Sequence, residues 1–201
     1  MKPILFNTEM VRAILEGRKT VTRRVVKPQP PATSVVRKRS CAWDWSFWAD
    51  CDMGHLMKPP YHPGDILWVR ETWAKSMAGT FMYRADDKAI MVERWHPSIH
   101  MPREAARIFL RVTDVRPERL NDITDVQAKA EGVSMPLPAQ KDPEYAEYIG
   151  GYWGAFADLW DSTIKPKDIP TYGWEANPWV FVIEFERISK DEALGGGGDA
   201  N

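Results

Sequence analysis

Stretches in which apolar and polar residues alternate are interspersed along the chain with stretches whose apolar residues recur every three to four positions. The first pattern predicts strands and the second predicts helices. A short strand at 3–6 precedes a helix at 8–16 that carries Met10, Val11, Ile14 and Leu15 on one face. Asn7 or Thr8 caps this helix, Glu9 suits its positive end and Gly17 stops it. The β-branched run KTVTRRVV predicts a strand at 20–26. A Gly-Asp turn opens a strand at 65–73, with a hairpin partner at 80–85. A further strand is expected at 107–115, then a helix at 123–131 with Thr124 or Asp122 as cap and Gly132 as stop. Phe156, Leu159 and Trp160 mark an amphipathic helix within 143–164. The last strand, 179–187, alternates Val180 and Val182 against Phe181, Ile183 and Phe185.

Between the second and third strands, residues 27–63 show no periodicity. They contain a proline-rich start and end, the basic triplet Arg37-Lys38-Arg39 and the tryptophan-rich CAWDWSFWADC, and are expected to form a long loop or flap. The glycine-rich end, 191–201, is expected to be a disordered tail. Six strands and three helices without regular βαβ alternation predict an α+β fold. Its expected form is a small, partly open β-barrel decorated with helices, one domain over 1–190.

Composition adds constraints. The 201 residues are 44% hydrophobic and 27% charged, as in ordinary globular proteins. The net charge of −1 argues against a nonspecific polyanion binder, but its distribution is uneven. Residues 1–40 hold ten Lys/Arg and two Asp/Glu, a balance of +8, which leaves −9 for the remainder. Such asymmetry suggests a local site for an anionic or electron-rich ligand, and is equally compatible with a solvated basic face. Cys41 and Cys51 make no disulfide framework, and no apolar run approaches a membrane span. A cytoplasmic protein with reduced thiols and no membrane partner is expected.

Familiar catalytic motifs are missing from the sequence: there is no glycine-rich phosphate loop, no G-x-S-x-G and no H-E-x-x-H. Cys41, Cys51, His55 and His62 are of zinc-ligand type, but their spacing matches no common finger or knuckle. Neither a metal nor a cofactor is expected.

The densest chemistry lies in GRKTVTRR, where Gly17, Lys19 and Arg24 stand two and five positions apart. With PGDILWVRETW, PSIHMPR and YGWEANPWVFVIEF further along, the chain resembles the ASCH domain family, a branch of the PUA-like barrels. It looks like the longer members often carried by phages and prophages. Small ASCH proteins include amidohydrolases that remove acyl groups from the exocyclic amine of cytidine. The resemblance therefore implies catalytic roles for Lys19, Thr22 and Glu131, on a modified pyrimidine nucleoside of the N-acylated cytidine class. Other members are assigned to RNA binding, so a noncatalytic RNA- or nucleotide-binding module is the alternative.

The chemistry can also be read from the residues. Amide hydrolysis needs a nucleophile, a base for its proton and an acid for the leaving amine. A threonine hydroxyl is a poor nucleophile until a base takes its proton, and a lysine serves as that base only when desolvation or nearby cations favour its neutral form. Arg18, Arg23 and Arg24 are such cations. A proton shared between Lys19 and Glu131 reconciles their opposing demands. Residues i and i+3 of a strand point to opposite faces, so Lys19 can serve Thr22 only from the turn after Gly17. Arg24, Glu71, His100 and Arg103 are the candidate substrate-binding residues, with Glu71 alternatively an ion-pair partner of its neighbour Arg70. Trp43, Trp45 and Trp48, in a polar loop, are candidates for stacking on a base.

Overall fold

The computed structural model describes residues 1–31, 35–38, 45–48, 55–86, 92–135, 137–148 and 150–195. Ten strands and seven α-helices occur among them. The strands are β1 (Lys2–Leu5), β2 (Val21–Val25), β3 (Val35–Lys38), β4 (Trp45–Trp48), β5 (His55–Met57), β6 (Ile66–Arg70), β7 (Trp73–Lys75), β8 (Phe81–Tyr83), β9 (Phe109–Arg119) and β10 (Trp179–Ile188). The helices are α1 (Thr8–Leu15), α2 (Asp125–Ala130), α3 (Leu137–Lys141), α4 (Pro143–Tyr148), α5 (Gly151–Thr163), α6 (Ile169–Tyr172) and α7 (Lys190–Ala193). The fold is α+β, built on a mixed five-stranded sheet in the order β1-β6-β9-β10-β2. Among the described residues no pairing joins β1 to β2, so the sheet stays open. β7 and β8 form a separate two-stranded sheet, and β3-β4-β5 a three-stranded one.

Two compact units divide the chain: residues 1–20, 63–113 and 185–201 form the first, and 21–62 and 114–184 the second. In the first, β1 runs parallel to β6, with Lys2 opposite Leu67 and Leu5 opposite Arg70. β6 pairs antiparallel with β9 over Phe109, Leu110 and Arg111. Helix α1 forms because Asn7 accepts a hydrogen bond from the Met10 amide, and it buries Val11, Ala13 and Ile14. Gly17, at φ 75°, ends it in the left-handed region that favours glycine. In the second unit β10 pairs antiparallel with β2, Ile183 opposite Thr22 and Phe181 opposite Arg24. Val21, Val180 and Val182 join Leu120, Phe156, Trp160 and Trp174 in one apolar cluster. Phe181 and Ile183, on the other face of β10, are buried as well, as expected of an interior strand.

Several elements differ from the sequence expectation. The strand expected at 65–73 ends at Arg70, because the Glu71 amide donates to Met101 Sδ at 3.1 Å instead of to a neighbouring strand. The partner expected at 80–85 consequently pairs with Trp73–Lys75 in its own small sheet. The strand expected to stop near Val115 runs on to Arg119 despite Pro117. That proline lies beyond the β6 pairing, where its missing N–H breaks no ladder bond on that side. Residues 27–63 are not one loop, since β3, β4 and β5 pair antiparallel within them. The amphipathic helix expected within 143–164 is α5, and a further short helix, α4, precedes it; Gly150 before α5 and Gly151 at its start both have positive φ. Part of the stretch expected as a tail is structured: Ser189 caps α7 by accepting from the Glu192 amide, and Ala193 is buried with Trp68, Phe109 and Ile188, while residues 196–201 lie outside the described residues. No helix among the described residues is long and apolar enough to cross a membrane.

Candidate functional site

Strand β2 carries most of the candidate chemistry in the second unit. Its alternation puts Val21, Arg23 and Val25 towards one face and Thr22 and Arg24 towards the other. On the first face Arg23 is a charged residue in apolar company, with 3% of its surface exposed. Its guanidinium lies 5.9 Å from the centre of the Phe156 ring. A buried cation is costly unless it is paired and hydrogen-bonded. Here Nη1 donates to Glu131 Oε1 at 3.1 Å, and Nη2 donates to Gln127 Oε1 at 3.3 Å and to Glu118 Oε2 at 3.4 Å. The buried Nε finds no hydrogen-bond partner among the described residues.

The placement of Glu131 follows from helix capping. Thr124 caps α2 by accepting from the Gln127 amide, and the Gln127 side chain accepts from the Thr124 amide. Glu131 is the C-cap residue, followed by Gly132 at φ 83°. The same Gln127 that closes the capping box also holds Arg23, so the start of α2 and the carboxylate at its end are tied to one guanidinium. Glu131 is 4% exposed, so the carboxylate at this helix end is buried.

On the other face of β2, Thr22 is 1% exposed and its Oγ1 accepts a hydrogen bond from Arg24 Nη1 at 3.1 Å. Arg24 also donates to the Arg23 carbonyl. Burial pushes the Arg24 guanidinium below its usual value, against the opposing effects of Glu131 and Tyr61. Arg24 lines a cavity of about 320 Å³ together with Lys27, Met57, Lys58, Tyr61 and Phe181. Arg24 thus bonds Thr22 on one face of β2 and feels the charge of Glu131, which Arg23 holds on the other; of these four residues only Arg24 lines the cavity.

Lys19 belongs to the first unit. It lies in the turn after Gly17, where the amides of Arg18 and Lys19 both donate to the Ala13 carbonyl. It is 2% exposed, with Nζ 5.6 Å from the centre of the Phe6 ring.

The remaining candidates lie in the first unit, and none lines the Arg24 cavity. Both oxygens of Glu71 accept from Arg107, from Nε and Nη2 at 2.9 Å each. Arg107 Nη1 also donates to both oxygens of Asp86, and its guanidinium lies 3.9 Å from the centre of the Tyr83 ring. Glu71 is therefore an ion-pair partner, as one sequence reading had it, but of Arg107 instead of Arg70, and its carboxylate is taken up within the protein. His100 is exposed. Arg103 is exposed, donates to Met1 Sδ and lines a second cavity with Glu104, Phe109 and Lys190. Trp43, Cys41 and Cys51 lie outside the described residues, as do the side chains of Trp45, Trp48 and His55.

Burial, the largest influence, raises the Glu71 carboxyl above the ordinary value of 4.5, although Arg107 pulls it down. A group raised on folding favours the folded state below its unfolded value, and that contribution disappears as pH climbs through the folded value. Wild-type protein is therefore expected to lose stability relative to Glu71→Gln as pH rises above 4.5. Chemical denaturation across that range checks this, and parallel profiles for the two proteins would contradict it.

No family model matches the sequence, and no curated protein matches it. A solved structure that is similar is the crystal structure of protein EF3133 from Enterococcus faecalis V583, described under the family model DUF984. The similarity has a TM-score of 0.37 at 11% identity and covers 94% of this chain and 82% of that one.

Proposed function

We propose that the chain is an ASCH-type, PUA-like protein that hydrolyses the amide of an N-acylated cytidine, with Thr22 as nucleophile. The observation that carries this reading is the burial of Thr22 with its hydroxyl bonded to Arg24, which itself walls a cavity of small-molecule size. Structural need alone seldom gathers a buried threonine, arginine and glutamate around a half-buried arginine. The family motif adds Lys19, three positions before Thr22.

In the proposed reaction the Thr22 hydroxyl oxygen attacks the acyl carbon and its proton is lost to a base, the role that the family resemblance gives Lys19. Negative charge develops on the acyl carbonyl oxygen, and Arg24, which walls the cavity, is the donor proposed for it. The C–N bond then breaks, the exocyclic nitrogen takes up the proton that Thr22 released, with Glu131 as the acid that the resemblance implies, and the free cytidine amine leaves. Water cleaves the resulting acyl–threonine ester, giving the carboxylic acid and restoring the hydroxyl. Arg23 holds the Glu131 carboxylate in position without touching substrate.

Arg24→Ala is expected to raise KM more than it lowers kcat, because the side chain walls the cavity. Glu131→Gln is expected to lower kcat severely, because an amide cannot exchange the proton. Steady-state kinetics on a panel of acylated cytidines test both. Wild-type protein that leaves every member of the panel intact would rule the reading out.

A further inference from the structure

We propose that Tyr61 is the platform on which the Arg24 cavity seats the pyrimidine ring of its ligand, and so the residue that selects a nucleoside over other amides. This rests on the amidohydrolase reading for the acyl group, and on the cavity wall alone for the base.

A pyrimidine is flat, with two π faces and a polar edge. A site that selects one sets aromatic surface beside hydrogen-bond donors. Two aromatic side chains line the cavity, Tyr61 and Phe181. Phe181 is 3% exposed and sits in β10 opposite Arg24, so its ring belongs to the core and has little surface left for a ligand. Tyr61 is half-buried and stands in the segment after β5, where Met57 and Pro60 continue the apolar wall. Tyr61 therefore carries most of the aromatic surface that this wall can offer.

The chain around Tyr61 is stiff. Pro59, Pro60 and Pro63 flank it within two positions, and each fixes its own φ and restricts the residue before it. Pro59 is buried, which pins the segment down. An aromatic side chain carried on such a segment is ordered before the ligand arrives, so seating a base on it costs little entropy. Tyr61 also interacts electrostatically with Arg24, whose Nη1 donates to the Thr22 hydroxyl. A ring stacked on Tyr61 lies beside the guanidinium that is bonded to the proposed nucleophile.

Titration of the full chain with cytidine, followed by calorimetry and by the proton magnetic resonance of the ligand, tests this. Stacking moves the H5 and H6 signals of the bound base upfield, because they enter the shielding region over the tyrosine ring. Tyr61→Phe keeps a ring, and is expected to bind cytidine within about twofold of the wild type and to retain the shift. Tyr61→Leu is expected to bind about tenfold or more weakly and to lose the shift. In acyl release from N-acetylcytidine, Tyr61→Leu is expected to raise KM by a similar factor and to leave kcat little changed, since stacking acts equally on substrate and transition state.

Equal affinity and equal shifts in the wild type and Tyr61→Leu would overturn the proposal, as would a wild type that does not bind cytidine. Equal losses in Tyr61→Phe and Tyr61→Leu would overturn it too, by tracing the effect to the hydroxyl. A short single-stranded RNA that binds more tightly than cytidine would show a polymer site in place of a nucleoside site. Ring-dependent binding of cytidine without acyl release refutes the hydrolase and leaves the base platform standing. Acyl release with the same KM in Tyr61→Leu as in the wild type does the reverse.

Discussion

Thr22→Ala is expected to lower kcat for acyl release by about a thousandfold or more, while Thr22→Ser retains measurable activity. Serine keeps the hydroxyl that attacks the acyl carbon and loses only a methyl group. Lys19→Ala is expected to cost about as much as Thr22→Ala, and the double variant little more than either. Residues acting as one unit in a single step are not additive, because removing one already disables the other. A noncatalytic module gives the opposite pattern: changes at Lys19 and Arg24 weaken binding in a salt-dependent manner, and Thr22→Ala barely matters. Initial rates for the four variants distinguish these, with far-ultraviolet circular dichroism confirming that each is folded. Additive losses at Lys19 and Thr22 would show that they do not share a step.

Arg23→Met is expected to destabilise the protein by about 3–5 kcal/mol, since it strands Glu131 as a buried carboxylate without its cation. The Arg23 side chain is fully buried and bonded to Glu131, Gln127 and Glu118, so little water can replace it. Adding Glu131→Leu is expected to recover most of the loss, because two apolar side chains of similar volume remove the stranded charge altogether. The double variant should then be folded and inactive, which separates the structural role of the pair from its role in the reaction. Urea denaturation of the two single variants and the double variant completes the cycle. Strict additivity would mean that the two side chains do not stabilise each other.

Much of this arrangement was legible in the sequence where a local rule decides the outcome. Asn7, Gly17, Thr124 and Gly132 bound their helices as expected, because capping depends on residues a few positions apart. The position of Lys19 after the Gly17 helix stop was a condition of its proposed role and not something a local rule decided. What could not be read was long-range pairing. Nothing near Glu71 in sequence marks Arg107, 36 residues away, as its partner in place of adjacent Arg70. The three-stranded β3-β4-β5 sheet was hidden because strands this short show too few alternations to reveal a period.

Arg23 was read only as a nearby cation, and its place as the anchor of Glu131 was missed. A signal was available: alternation along VTRRV sets Arg23 on the same face as Val21 and Val25. An arginine on an apolar face requires a carboxylate somewhere in the fold. Which carboxylate it is depends on α2 lying against that face, 108 residues further along the chain. The Thr-x-x-Gln capping box was visible as a helix start, but the second use of Gln127 as an acceptor for Arg23 emerges only in three dimensions.

The most direct test follows acetate released from N-acetylcytidine by wild-type protein and Thr22→Ala, with binding of labelled RNA measured on the same samples. Release of acetate and the free cytidine amine by the wild type, lost in Thr22→Ala, is the expected result. Intact substrates in both samples, with tight RNA binding that Thr22→Ala leaves unchanged, would contradict the hydrolase and leave a binding module in its place.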